Sequence, residues 1–303
     1  MRLVSYGELG RERAGILLEK GIADLEEAMK KSGAQRPVSD LRLLLEQPEW
    51  KAILQSVGKV APSQKLIDPK SVRLGAPVPV PRKLMIAGAN TFSHVKEAAP
   101  LLGRSDPPIE PMILGKATSS ICGPYDDMIM PPETAKLDYE VEIGIIIGKQ
   151  CRRITKEQVK DVVAGFTTSN EASARDIQLA QKEVNPFYRV HFMGKSYDSF
   201  CPMGPAMVTV DEFEWGAPLK MTTTVNGQLR QNSDTTDLCH GIEALVSYCS
   251  GAMTLFPGDI ILSGSPAGVA FFMQPPGFLK DGDVVRCEVE KIGAIENKVR
   301  AER

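Results

Sequence analysis

Residues 137–143 alternate strictly between apolar and acidic side chains, and the apolar run that follows them narrows the folds this stretch can join. Apolar side chains fall at Leu137, Tyr139, Val141 and Ile143 and acids at Asp138, Glu140 and Glu142, a spacing that in an extended strand sends every acid to one face. Alone, such a pattern most often marks a surface strand with its polar face in water. Here it runs into Ile143, Gly144, Ile145, Ile146 and Ile147, a nearly continuous apolar stretch that calls for cover on both faces. The acids therefore face a pocket or a second layer. Carboxylates held that closely raise one another's pKa unless a cation lies among them, and an all-oxygen set suits a hard divalent ion, Mg²⁺ or Mn²⁺.

Two further segments carry chemistry. The spacing predicts a helix over residues 172–182, with Glu171, Arg175 and Gln178 recurring on one face. By itself a Glu and Arg at that spacing is usually an exposed helix pair of small energetic weight. Near residue 90, His94 and Glu97 stand three apart on a predicted helical turn, where the carboxylate can orient and charge the imidazole as a general base.

The rest of the chain supplies the frame. Strands are predicted at residues 2–6, 83–88, 162–168, 206–210, 219–225, 259–262 and 284–289, with a hairpin over residues 14–25 and a helix at residues 242–249. Turns are expected at Asn226 and Gly227, and at Pro257 to Asp259. Strands outnumber helices without alternating with them, so the class is a β-rich α+β fold. Residues 1–75 read as a small N-terminal α/β subdomain, with Ser39 or Asp40 as a helix N-cap. Residues 76–81, with proline at every second position, read as a stiff joint, and residues 82–303 as the catalytic domain.

Charge excludes other classes. With 36 basic and 38 acidic residues spread in no single-sign block, nothing suggests nucleic acid, and no apolar run is long enough to span a bilayer. Six cysteines without paired spacing, and three histidines apart from them, argue against structural zinc and for free thiols in a reducing compartment. A cytosolic or organelle-matrix enzyme is expected, with the cytoplasm as its location.

Together these residues carry a resemblance. Segments 88–97, 137–148, 165–178, 194–205 (GKSYDSFCPMGP), 225–231 (VNGQLRQ), 256–259 (FPGD) and 263–268 (SGSPAG) resemble, in order, the signatures of the fumarylacetoacetate hydrolase superfamily. The branch most resembled is that of the domain-containing protein 2 members, which carry a comparable N-terminal extension. The resemblance implies a mixed β-sandwich roll around one Mg²⁺ or Mn²⁺, in a homodimer that takes a small 2-oxo acid and neither nucleic acid nor membrane.

The same resemblance assigns residues. Glu140 and Glu142 match the family's strand ligands to the metal, and Glu171 stands where the third ligand is commonly Asp. Asp138 is a neighbour. His94 and Glu97 match the general-base pair, while Lys195 and Gln178 match residues that hold the substrate's keto-acid oxygens. Arg175 would neutralise Glu171 or the substrate carboxylate. Ser265, with Ser263, replaces threonines of a substrate loop, and Thr91 replaces a common Tyr in the pocket wall. Segment 98–113 is a candidate lid, and residues 185–190, with Arg189, a candidate wall.

The activity so implied is metal-dependent hydrolysis of a carbon–carbon bond in an acylpyruvate or other 1,3-dioxo acid, by way of a metal-bound enolate. Oxaloacetate-type decarboxylation, 2-oxo-enoate isomerisation and a catalytically silent metal- or metabolite-binding paralogue are the alternatives.

Overall fold

The structure, a computed structural model, describes residues 1–103, 105–180 and 191–303. Among them, eleven strands form one sheet and five a second. Val141–Ile147 lies inside the large sheet, antiparallel to Val163–Asn170 on one side and to Ile260–Leu262 on the other. Beyond Ile260–Leu262 come the parallel strand Leu84–Gly88 and the edge strand Met112–Gly115. Beyond Val163–Asn170 come Cys201–Thr209, Arg2–Tyr6, Arg13–Leu18 and Gly21–Asp24.

The apolar run of the sequence is accounted for by what covers it. All seven residues of Val141–Ile147 are buried. Val141, Ile143, Ile145 and Ile147 meet the small sheet, packing with Val285, Cys287, Ile295 and Val299 in one core. Ile146, on the opposite face, joins a second core with the N-terminal helices. Glu142 shares that face but lies nearer the start of the strand, so it points into space left beside the helical layer.

That layer follows from its sequence. In the helix Trp50–Val60 the buried residues are Trp50, Ile53, Leu54 and Val57, one stripe at helical spacing. Asp24 and Asp40 cap the preceding helices, Leu25–Lys31 and Leu41–Leu45, each accepting a backbone N–H of the first turn. Trp50 also ties the layer to the sheet, its indole Nε1 donating to the Gly148 carbonyl at 2.9 Å. A Cβ at Gly148 would lie 2.9 Å from the Trp50 ring and 2.8 Å from Ala164 Cβ, so only glycine permits this approach. Trp50→Ala is expected to cost about 3–5 kcal/mol, the range for emptying a buried aromatic site, measured as a lower urea midpoint at unchanged slope.

The small sheet runs Gln228–Asp234, Lys220–Val225, Val284–Val289, Gly293–Ala301 and Met128–Met130. Its first hairpin turns at Asn226 and Gly227, both at positive φ as a tight two-residue turn requires. Two sheets facing across one apolar layer, with helices behind the larger, make the β-rich α+β fold that the excess of strands predicts. Residues 1–75 lend this fold four sheet strands, the fourth being the short Leu74–Gly75 beside Arg2–Tyr6, and the helical cover. Among the described residues no helix is long and apolar enough to cross a membrane.

Two predicted elements differ. The strand expected over residues 137–148 is broken: Leu137–Asp138 pairs with Ser173–Ala174, and the main strand starts at Val141. The helix expected over residues 172–182 is limited, among the described residues, to Arg175–Gln178. Pairing of Ser173 and Ala174 keeps the chain extended there, and that tertiary demand overrides the helical spacing.

Candidate metal centre and its base pair

The break at Tyr139 and Glu140 swings Asp138 out of line with the other acids. Asp138 accepts the backbone N–H of Ala270 at 2.7 Å and Arg175 Nε at 2.8 Å. Glu140, Glu142 and Glu171 remain together, each offering an oxygen within 4.8 Å of the others, and all three are buried. Among the described residues they are the one acid, His or Cys group close enough to hold a metal ion. Glu171 reaches it from the extended turn after Val163–Asn170, its N–H donating to the Glu140 carbonyl at 2.8 Å. The helical face expected for Glu171, Arg175 and Gln178 is thus not how they meet.

Cations alternate with these acids. Arg175 links Asp138 to Glu140, Lys195 links Glu140 at 3.0 Å to Glu171, and Lys116 closes on Glu171 at 2.5 Å. Of its two expected partners, Glu171 and the substrate carboxylate, Glu171 is not the one Arg175 reaches; it pairs with Asp138 and Glu140, because the extended backbone of Ser173 and Ala174 turns it toward the strand break. Three cations thus serve four acids, and among the described residues no ion pair reaches Glu142. Its partner is the backbone N–H of Gly264, at 2.7 Å.

The charges respond accordingly. Burial pushes the Glu142 carboxyl well above the usual range, and the neighbouring Glu171 and Glu140 push it further. Burial also works against ionisation of Glu140, yet Arg175 and Lys195 outweigh it and hold that carboxyl well below the usual range. One buried acid without a cation, in an all-oxygen set of three, fits a divalent metal in donor type and in charge.

Across the cavity stands the second expected pair. Thr91 caps the helix Phe92–Leu102, its hydroxyl accepting the His94 N–H at 3.2 Å. His94 Nδ1 lies 2.7 Å from Glu97 Oε1, and Glu97 Oε2 accepts the Gly268 N–H at 3.0 Å. With Nδ1 so engaged, Nε2 is the ring nitrogen left for proton exchange with a bound molecule. Thr91 is fully buried, its hydroxyl donating to the Ser265 carbonyl at 2.7 Å. It is a cap and a clasp, and not the pocket wall that its sequence position suggested.

His94, the three acids, Arg175, Gln178, Lys195 and Ser265 all line one cavity of about 120 Å³. Ser265 Oγ accepts from Gln231 Nε2 at 2.7 Å, and Gln178 Nε2 meets His191 Nδ1 at 3.1 Å. Of the candidate lid, Ala98 and Met112 reach the cavity, while Arg189 and the wall around it lie outside the described residues. Sequence reasoning missed Lys116, His191 and the apolar wall of Leu114, Phe271 and Phe272. Lys116 has no nearby acid in sequence to mark it. None of the cysteines lines the cavity; five are buried and the sixth, Cys239, is half-buried.

Residues 83–300 match the fumarylacetoacetate (FAA) hydrolase C-terminal family. The chain belongs to this family. It is 42% identical over 257 residues, 84% of this chain and 78% of the relative, to bovine (Bos taurus) "Oxaloacetate tautomerase FAHD2B, mitochondrial". It is 35% identical to a "Fumarylacetoacetate hydrolase domain-containing protein 2 homolog" of Dictyostelium discoideum, covering 99% of this chain and 97% of that one. Among family structures, maleylpyruvate hydrolase from Sphingobium sp. SYK-6, in complex with manganese(II) ion and pyruvate, superposes with a TM-score of 0.79 at 29% identity, covering all of both chains.

One expectation falls with these comparisons. The bovine, rat and human relatives carry "mitochondrial" in their names, so the cytoplasmic location does not stand. Free thiols and balanced charge are common to every reducing compartment and could not separate one from another.

Proposed function

We propose that this protein is a divalent-metal-dependent enzyme that interconverts the keto and enol forms of a short 2-oxo dicarboxylic acid such as oxaloacetate. The observation that carries this reading is the small cavity, about 120 Å³, with a buried acidic triad on one wall and the His94–Glu97 pair on the other. Pockets for drug-sized ligands are larger, roughly 300–1,000 Å³. A four-carbon acid suits this space better than a long acyl chain. The name of the bovine relative supports the same substrate.

Glu140, Glu142 and Glu171 would hold the metal, Mg²⁺ or Mn²⁺. When bound, such a cation draws charge from the carboxylate and keto oxygens of a 2-oxo acid and so acidifies the neighbouring carbon. Lys195, Gln178 and Ser265 orient the acid's oxygens. Arg175, committed to Asp138 and Glu140, holds the triad's geometry. His94 Nε2 takes the proton from the carbon beside the keto group as the carbon–carbon double bond forms, the keto oxygen takes up a proton from solvent to give the enol, and the imidazolium returns its proton to solvent. Glu97 stabilises the imidazolium meanwhile. The apolar side chains of Leu114, Phe271 and Phe272 limit water on the far side of the cavity.

A second reading is hydrolysis of an acylpyruvate, favoured by the likeness to maleylpyruvate hydrolase. There His94 would deprotonate a water that attacks the distal carbonyl. The two are separated by offering purified protein oxaloacetate or acetylpyruvate, each with EDTA, Mg²⁺ or Mn²⁺. Expected is metal-dependent decay of the oxaloacetate enol absorbance above the rate with metal alone. Acetate and pyruvate released from acetylpyruvate, with no effect on the oxaloacetate enol, would replace this reading with the hydrolase.

A further inference from the structure

A carboxylate outside the cavity is bonded to the start of the helix that carries His94 and Glu97. Residues 237–240 clasp residues 90–93 at several points. Leu238 and Thr91 form a β-bridge, and the N–H groups of Cys239 and His240 donate to the Asn90 carbonyl at 2.8 Å and to Asn90 Oδ1 at 3.0 Å. Asn90 Nδ2 donates in return to the carbonyls of His240 and Ser263, at 2.9 and 2.8 Å. At the helix start the Asp237 carboxylate accepts the Ser93 N–H at 3.0 Å, the Ser93 hydroxyl, and the Ser233 hydroxyl at 3.2 Å.

Ser93 relays this contact. Its hydroxyl proton is committed to Asp237, so its lone pairs are turned to the Ala267 N–H, which donates at 3.0 Å. The next residue, Gly268, donates to Glu97, and Glu97 orients His94. The path therefore runs from Asp237 through Ser93, Ala267, Gly268 and Glu97 to the imidazole, each step a hydrogen bond or a peptide link. A carboxylate beside the first turn is also favoured by the helix dipole. Neither Asp237 nor Ser93 lines the cavity.

We propose that Asp237 is a positioning residue for the His94–Glu97 pair, fixing the helix start and the Ser265–Gly268 loop in one register. The proposal rests on the reading of His94 as the proton carrier. Asp237 does this without touching substrate. Its loss frees the Ser93 hydroxyl to rotate, releases the Ala267 N–H, and lets Glu97 drift from the imidazole.

The test uses the full chain labelled with ¹⁵N-histidine, whose three histidines are His94, His191 and His240. His94→Ala assigns the His94 ring signals. In Asp237→Ala those signals are expected to move, kcat for oxaloacetate to fall about 10- to 100-fold, as for a misplaced catalytic group, and KM and Mn²⁺ affinity to stay at the wild-type values. Asp237→Asn, which keeps an oxygen for the Ser93 N–H, is expected to recover part of kcat. Unmoved ring signals with unchanged kcat would overturn the proposal. Should Asp237→Ala fail to fold, Ser93→Ala cuts the same relay, and unmoved His94 signals in that variant overturn it equally. If the wild type turns over neither oxaloacetate nor acetylpyruvate, the functional reading fails, while the ring signals still decide the role of Asp237.

Discussion

His94→Ala is expected to lower kcat by about 10²- to 10⁴-fold, the usual weight of a general base, with Mn²⁺ affinity unchanged. The imidazole is bound to Glu97 and meets the Phe272 ring edge-on at a centroid distance of 5.9 Å, and it makes no hydrogen bond to Glu140, Glu142 or Glu171. Its removal leaves the triad's ion pairs in place. Steady-state turnover and calorimetric titration with Mn²⁺ on the same preparation give the two numbers. Full turnover in this variant would remove His94 from the mechanism, and lost metal binding would show that the two walls of the cavity are not independent.

Glu142→Gln is expected to act on metal affinity and on stability, in opposite directions. Mn²⁺ should bind more than about 100-fold more weakly, a loss beyond that of an outer-sphere partner. In EDTA the variant should nonetheless be more stable than wild type, by about 1–3 kcal/mol, the scale for relieving a badly paired buried polar group. Three cations already balance Asp138, Glu140 and Glu171, so Glu142 is the buried acid left without a cation. The amide keeps an oxygen for the Gly264 N–H and offers donors to the neighbouring carboxylates. Chemical denaturation in EDTA and metal titration test the two halves separately. Equal Mn²⁺ affinity would take Glu142 out of the ligand set.

What could be read in the sequence was whatever repeats locally. The alternation at residues 137–148 announced both the buried central strand and its acids, and the spacing of His94 and Glu97 announced their pairing. Capping at Asp40 and the turn at Asn226 and Gly227 depend on neighbours in the chain and were equally legible. What escaped depends on distant partners. Lys116 gains meaning only beside Glu171, and the pairing of Arg175 with Asp138 and Glu140 is set by the sheet pairing of Ser173 and Ala174, which its spacing from Glu171 does not reveal. The strand Gln228–Asp234 was missed because its exposed polar residues lack the alternation of a half-buried strand. Thr91 looked like pocket wall because its bond to Ser265 joins segments far apart in sequence.

The first strand of the large sheet, Arg2–Tyr6, lies antiparallel to Cys201–Thr209, with Leu3 opposite Met207. A ribosome must therefore deliver residues 7–200 before this strand, already paired with Arg13–Leu18, can meet its second neighbour. Closing so long a loop is entropically costly, and chains dominated by such distant pairings fold slowly. Until it closes, Cys201–Thr209 presents bare N–H and C=O groups along one side, the kind of open border on which partly folded chains stick to one another. The geometry that gives the finished chain a covered sheet thus leaves an open border in the folding chain until that distant pairing forms.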